Sequence, residues 1–184
     1  MEVKGTAVKT IPMFITKKYP DKYDDWYQSL SKESQDFIKE GLITNKWYPV
    51  KETAMGLTKA LADTVFNGDE RQAGFECGRF SADEALTGIY KIYVRASSPN
   101  HIIDRANRAF TAYYSPSEMK VVDKSDKSVT VHVTQEESYP IVEFRIAGWM
   151  QRALEISGCK NVSVDITKSR TNGDDVTEFV MRWD

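Results

Sequence analysis

At 184 residues, 41% of them apolar and 28% charged, the chain is long enough for one ordinary domain and can build a core without disulfide or metal staples. Lys+Arg 25 against Asp+Glu 27 leaves a net charge of -2, and the basic residues are scattered, which excludes the basic stripe of a nucleic-acid-binding domain. Cys77 and Cys159 form no CxxC, so neither a disulfide framework nor a zinc site is suggested and two buried thiols are expected.

The opening residues lack the charged and apolar regions of an export signal. No segment approaches the roughly 18–20 apolar residues of a spanning helix, so no membrane span and a cytoplasmic location are expected.

In chain order, residues 1–8 predict a short strand. Ile11, Phe14 and Ile15 then predict a helix over 9–18 that Pro20 stops. Short helices follow over 22–29 and 32–40, the second ended by Gly41. Leu57, Leu61 and Val65 mark a helix up to Phe66, closed by Asn67-Gly68. Residues 69–81 place Ala73, Gly74, Cys77, Gly78 and Ser81 in a stripe of small side chains, which suits close backbone packing, because glycine inside a helix otherwise costs about 1 kcal/mol. A separate helix is predicted over 82–94 with Leu86 and Tyr90 on one face. Ser98-Pro99 starts another, with Ile102, Ala106, Phe110 and Tyr113 inward and His101 outward.

The period then changes. Val129, Val131 and Val133 alternate with polar residues and predict a strand paired with 119–122. Pro140 opens a helix bearing Val142, Ile146, Trp149, Met150, Ala153 and Leu154, which Ser157-Gly158 ends. Val162, Val164 and Ile166, the Asn172-Gly173 turn and residues 176–183 predict a final hairpin. The order gives an α+β fold: N-terminal helices packed on a mainly antiparallel sheet of two C-terminal hairpins separated by a helix. No linker interrupts it, so residues 1–184 are expected as one domain, with 1–66 as its N-terminal helical part and 67–184 as helices plus sheet.

Catalytic and metal-ligating sets are missing from this pattern. His101 and His132 have no sequence-local partners, and the carboxylate pairs are adjacent residues that point apart. No phosphate loop, GxGxxG, HExxH or GxSxG string occurs. No catalytic residue and no metal are therefore assigned. What remains is a concentration of aromatic and small residues between Phe75 and Tyr114, suited to ordinary core or to an apolar pocket.

Gly78-Arg79-Phe80, Asp83-Glu84-Ala85-Leu86, Ser98-Pro99, Gly148-Trp149 and the run from Leu154 through Gly158 to Glu178-Phe179 together resemble the haem-nitric-oxide-binding (H-NOX) fold. That fold is shared with 4-vinyl reductase domains and TRAPP subunits, and the chain is most similar to an uncharacterised, haem-less bacterial branch. The resemblance implies a proximal histidine shortly after the Asp-Glu pair, where this chain has Leu86, which has no lone pair for iron. It implies a propionate-holding Tyr-x-Ser-x-Arg run where this chain has Val133, Gln135 and Glu137. No cofactor is therefore expected. Similarity to 4-vinyl reductase domains implies a cysteine near Thr177, which leaves Cys159 without a partner.

The implied function is a haem-free ligand-binding or signalling module that takes a small hydrophobic molecule in a pocket lined by Leu86, Tyr90, Phe110 and Trp149. The alternative is a TRAPP-like interaction scaffold, a homodimer or a docking unit for a signalling partner, in which the Gly74–Gly78 stripe could pack against a partner chain as readily as within its own.

Overall fold

The computed structural model describes residues 1–86, 108 and 110–184. The expected helical face at Tyr90, the Ser98-Pro99 helix start, His101 and Ala106 lie outside the described residues.

The fold is α+β, with the described helices gathered against two antiparallel sheets. The first strand, β1, is Glu2–Lys4, and helix α1 takes over at once as Gly5–Lys18. This corrects the expected strand over 1–8. Val8 is buried on the same helical face as Ile11 and Ile15, so its apolar side chain serves the 3.6 period and not an alternation. α2 (Tyr23–Ser29) and α3 (Lys32–Glu40) follow, with Ser31 capping α3 through Ser34 N–H at 3.2 Å. β2 (Trp47–Pro49) pairs with β1, and β1 pairs on its other side with β3 (Tyr114–Ser115). A π-helical turn over Lys51–Met55 leads into α4 (Gly56–Val65). Trp26, fully buried, donates its Nε1–H to Leu57 O at 3.0 Å and ties α2 to α4.

α5 runs unbroken as Glu70–Ala85, capped by Asp69 through Gln72 N–H at 2.9 Å. The expected break between Ser81 and Ala82 does not exist. Residues 82–85 contain no helix breaker, and Ser81 points its hydroxyl sideways to accept from Thr10 at 3.1 Å, so it does not compete for the helix backbone.

The larger sheet has the order β4 (Ser117–Lys124), β5 (Ser128–Gln135), β7 (Thr177–Arg182), β6 (Ser163–Lys168), every neighbour antiparallel. The two expected hairpins are thus joined along β5 and β7, with Val131 opposite Phe179. Helix α6 (Pro140–Ile156) connects them. Val129, Val131 and Val133 face the core with Phe179 and Met181.

Helices α5 and α6 cross where glycines let their backbones touch. A Cβ on Gly78 would fall 2.9 Å from the Arg145 carbonyl carbon, and one on Gly148 2.8 Å from that of Phe75. The Gly74–Gly78 stripe is therefore covered by α6 of its own chain. Of the two packings open to the stripe, against a partner or within its own chain, the second is the one observed.

The outer face of the larger sheet carries His132, whose Nε2 lies 2.6 Å from Glu178 Oε2. Thr167 Oγ1 and Lys168 Nζ also donate to Glu178, at 2.7 and 3.3 Å. The His132 hydrogen bond above all, then that of Thr167, holds this carboxyl down at about 2. A carboxyl lowered on folding contributes stability that is complete above its ordinary value of 4.5 and is lost as pH falls through about 2. Urea unfolding of wild type and Glu178→Gln should show a stability gap that is widest near neutrality and closes as the pH is lowered through this window. A gap independent of pH would break the linkage.

Candidate functional site

The main cavity lies between the helices and the inner face of the larger sheet, with a volume of about 390 Å³. That is within the roughly 300–1,000 Å³ of small-molecule sites. From α1 it takes Ala7, Thr10 and Met13, and from α5 Ser81, Glu84 and Ala85. Val131 and Met181 form the sheet side. The α6 side is built by Ile146, Trp149, Met150, Ala153 and Leu154, the stripe that helical spacing exposes on one face. Phe110 and Tyr114 stack with ring centroids 5.2 Å apart and close another side. Met13, Met119, Met150 and Met181 make much of this wall pliable, since methionine side chains refit to different shapes.

Of the residues expected to line a pocket, Phe110 and Trp149 are brought together on this wall. Leu86 follows α5 as its C-cap and is half-buried one residue beyond Ala85. Tyr90 lies outside the described residues.

One wall residue was not singled out from the sequence. Arg145 is 3% exposed, inside the protein with no carboxylate partner among the described residues. Its Nη2 donates to Ala7 O at 2.7 Å and Thr10 Oγ1 at 2.9 Å, with Ser81 Oγ at 3.4 Å, and its Nη1 donates to Tyr114 Oη at 3.2 Å. Among the described residues its Nε–H has no oxygen acceptor. Cys77 lies beside it. Burial pushes that thiol up against the opposing pull of the guanidinium, so it remains a neutral thiol and supplies no counter-charge. The sequence did carry a signal: Arg145 stands three after Val142 and four before Trp149, a charge set into an apolar helical stripe.

A sequence pattern described as "Protein of unknown function (DUF2378)" matches residues 69–184, from the cap of α5 to the final residue. The chain belongs to that family. Among curated proteins none matches it. Solved structures do, over nearly the whole chain. The Fe(II) unliganded H-NOX protein from K. algicida is 15% identical with a TM-score of 0.64, covering 98% of this chain and 96% of that one. The Fe(II)NO form of the H-NOX protein from S. oneidensis is 11% identical with a TM-score of 0.65, covering 98% and 99%. The IWP-051-bound H-NOX from Shewanella woodyi is 12% identical with a TM-score of 0.68, covering 97% and 93%. The fold of this family member is the H-NOX fold.

Haem is the group that this fold brings into question, and its iron needs an axial donor from the protein. Among the described wall residues there is no histidine and no cysteine, and Arg145 donates to the Tyr114 hydroxyl. His132 is spent on Glu178 across the outer face of the sheet. At the positions where the resemblance implies propionate contacts, Val133 and Gln135 are buried. Glu137 accepts from Tyr139 Oη at 2.9 Å and from the N-terminal amine at 3.3 Å, and those bonds hold its carboxyl below the usual range. An anion there repels a propionate. The described wall thus offers neither histidine nor cysteine to a haem iron, and the positions compared with the propionate contacts carry no cation. The described residues also contain no cluster of three or more His, Cys, Asp or Glu suited to a metal ion.

Proposed function

We propose that this chain is a haem-free, single-domain binding module that takes a small hydrophobic molecule into the cavity between α1, α5, α6 and the larger sheet. The observation that carries this reading is the cavity itself: about 390 Å³, largely apolar, with Phe110 and Trp149 in its wall. The reading keeps Leu86, at the end of α5, and Tyr90 among the residues of the pocket. Apolar occupancy would remove that surface from water, a gain of about 25 cal/mol per Å². The H-NOX proteins of similar fold support a sensing role, in which an occupied cavity changes how the module meets a signalling partner. The proposal keeps the cytoplasmic location; among the described residues no helix is long and apolar enough to cross a membrane.

Native mass spectrometry of gently purified protein tests the reading, followed by titration with 1-decanol. An adduct of small-molecule mass, or uptake of the alcohol, supports it. A haem-mass adduct overturns the haem-free assignment. A bare chain that takes up no alcohol overturns the cavity assignment. Ala153, 3% exposed in the α6 wall, offers a steric check. Ala153→Phe should fill the space and weaken 1-decanol binding about tenfold or more, by steric exclusion from a close-packed wall, while circular dichroism stays unchanged. Undiminished binding would place the ligand elsewhere.

A further inference from the structure

We infer that Arg145 is the anchor for an anionic head group, so that the cavity takes an amphiphile with an apolar body and a single carboxylate. This rests on the cavity being a ligand site. Three features of Arg145 and its surroundings point to it.

The first is that the guanidinium is buried without an opposite charge. Burying an ionised group is unfavourable unless it is paired, and buried arginine is ordinarily matched by a carboxylate. Here its acceptors are two hydroxyls, a phenol and a backbone carbonyl, all drawn from the chain around it. Arginine cannot escape by losing its proton. The charge therefore stays, with no opposite charge paired to it among the described residues.

The second is spare donor capacity. Among the described residues Nη1 donates to Tyr114 Oη alone, although it carries two hydrogens, while Nε–H is closed off from the cavity with no oxygen acceptor and the Cys77 thiol beside the guanidinium. An incoming carboxylate oxygen accepts from the second Nη1 hydrogen and neutralises the charge in the same step, which is the stronger class of hydrogen bond. A neutral alcohol satisfies the donor and leaves the charge.

The third is the sign of the charges on the wall. Arg145 and the exposed Lys9 stand against Glu84 among the described residues, and Glu84 is held by Lys17 at 2.8 Å. The remaining wall is largely apolar and methionine-rich, suited to a flexible hydrocarbon. Arg145 belongs to α6 and not to β5, where the resemblance places the propionate contacts, so this anchor is a separate feature.

The test compares decanoate with 1-decanol on the intact wild-type chain by calorimetry, with tryptophan fluorescence reporting through Trp149. Decanoate should bind about tenfold tighter or more, because a hydrogen bond to a charged group is worth more than one between neutral groups. Equal binding of the two overturns the anchor while leaving the cavity as a ligand site. Binding of neither overturns both. Arg145→Met should lose the preference, with decanoate weakened about tenfold or more and 1-decanol within about threefold of wild type. Retained preference in Arg145→Met overturns the anchor. If that variant fails to fold, the wild-type pair of ligands decides alone.

Discussion

Gly148→Ala is expected to lower folding stability by about 3 kcal/mol or more, and Gly78→Ala by a similar amount. Alanine is the better helix former by about 1 kcal/mol, so a propensity argument predicts the opposite sign at both positions. Contact geometry decides. A methyl on Gly148 meets the backbone of Phe75, with its Cα 3.0 Å away, and one on Gly78 meets the backbone of Arg145 and the Trp149 nitrogen at 3.0 Å. Neither neighbour is the end of a flexible side chain. The helices must move apart, and the separation loosens every layer between α5 and α6, including the salt bridge from Arg79 to Glu155 at 2.8 Å. Because both substitutions force the same movement, the double variant should cost clearly less than the sum. Gly158 is the control: nothing lies within 4 Å of its Cβ position, and its φ of +106° makes the backbone alone the cost. Urea denaturation of the four variants checks all of this. Additive effects, or a stabilised Gly148→Ala, would show that the helices are not locked at this crossing.

That crossing explains how the small-residue stripe was legible but its partner was not. Gly74, Ala73, Cys77 and Gly78 announce close packing through their spacing, yet the spacing is silent on whether the surface opposite belongs to the same chain. The answer is Gly148, 70 residues beyond Gly78 on α6. Strand alternation was readable for a related reason. Each of β5 and β7 buries one face, so Val129, Val131 and Val133 carry the period directly, and the pairing of β5 with β7 follows once both buried faces must meet the same helix. The start of α1 was misread because a short β1 leads into it without a capping side chain. At the site, Trp149 and Phe110 were readable as aromatic members of apolar faces. Arg145 was readable only as a charge set into an apolar stripe; its setting was not, because its partners Ala7, Thr10, Ser81 and Tyr114 come from three other parts of the chain.

Glu143→Ala should cost about 4 kcal/mol, the largest effect expected from a single polar residue. Glu143 is 3% exposed in the first turn of α6, two residues before Arg145, and helical geometry sends the two side chains in different directions. Its environment is the reverse of that around Arg145. Ser138 Oγ donates to it at 2.8 Å, Thr177 Oγ1 at 2.7 Å and Ser169 Oγ at 2.6 Å, so both carboxylate oxygens are occupied. The positive end of the α6 dipole adds to this. Those hydroxyls come from the approach to α6, from β7 and from the turn between β6 and β7, so one carboxylate ties the final hairpin to the helix. Truncation removes the acceptor shared by three buried or half-buried hydroxyls and opens a polar void. Glu143→Gln keeps one acceptor but sets an amide donor against hydroxyl donors, and about half the cost should remain. Urea unfolding gives the magnitude, and hydrogen exchange should show the hairpin loosening first. A cost under about 1 kcal/mol would mean that the hydroxyls re-pair among themselves. The pair of buried charges on one helix thus divides by its partners. Glu143 has every oxygen answered from within the chain and holds the fold together, whereas Arg145 keeps a donor unanswered beside a cavity large enough to supply what it lacks.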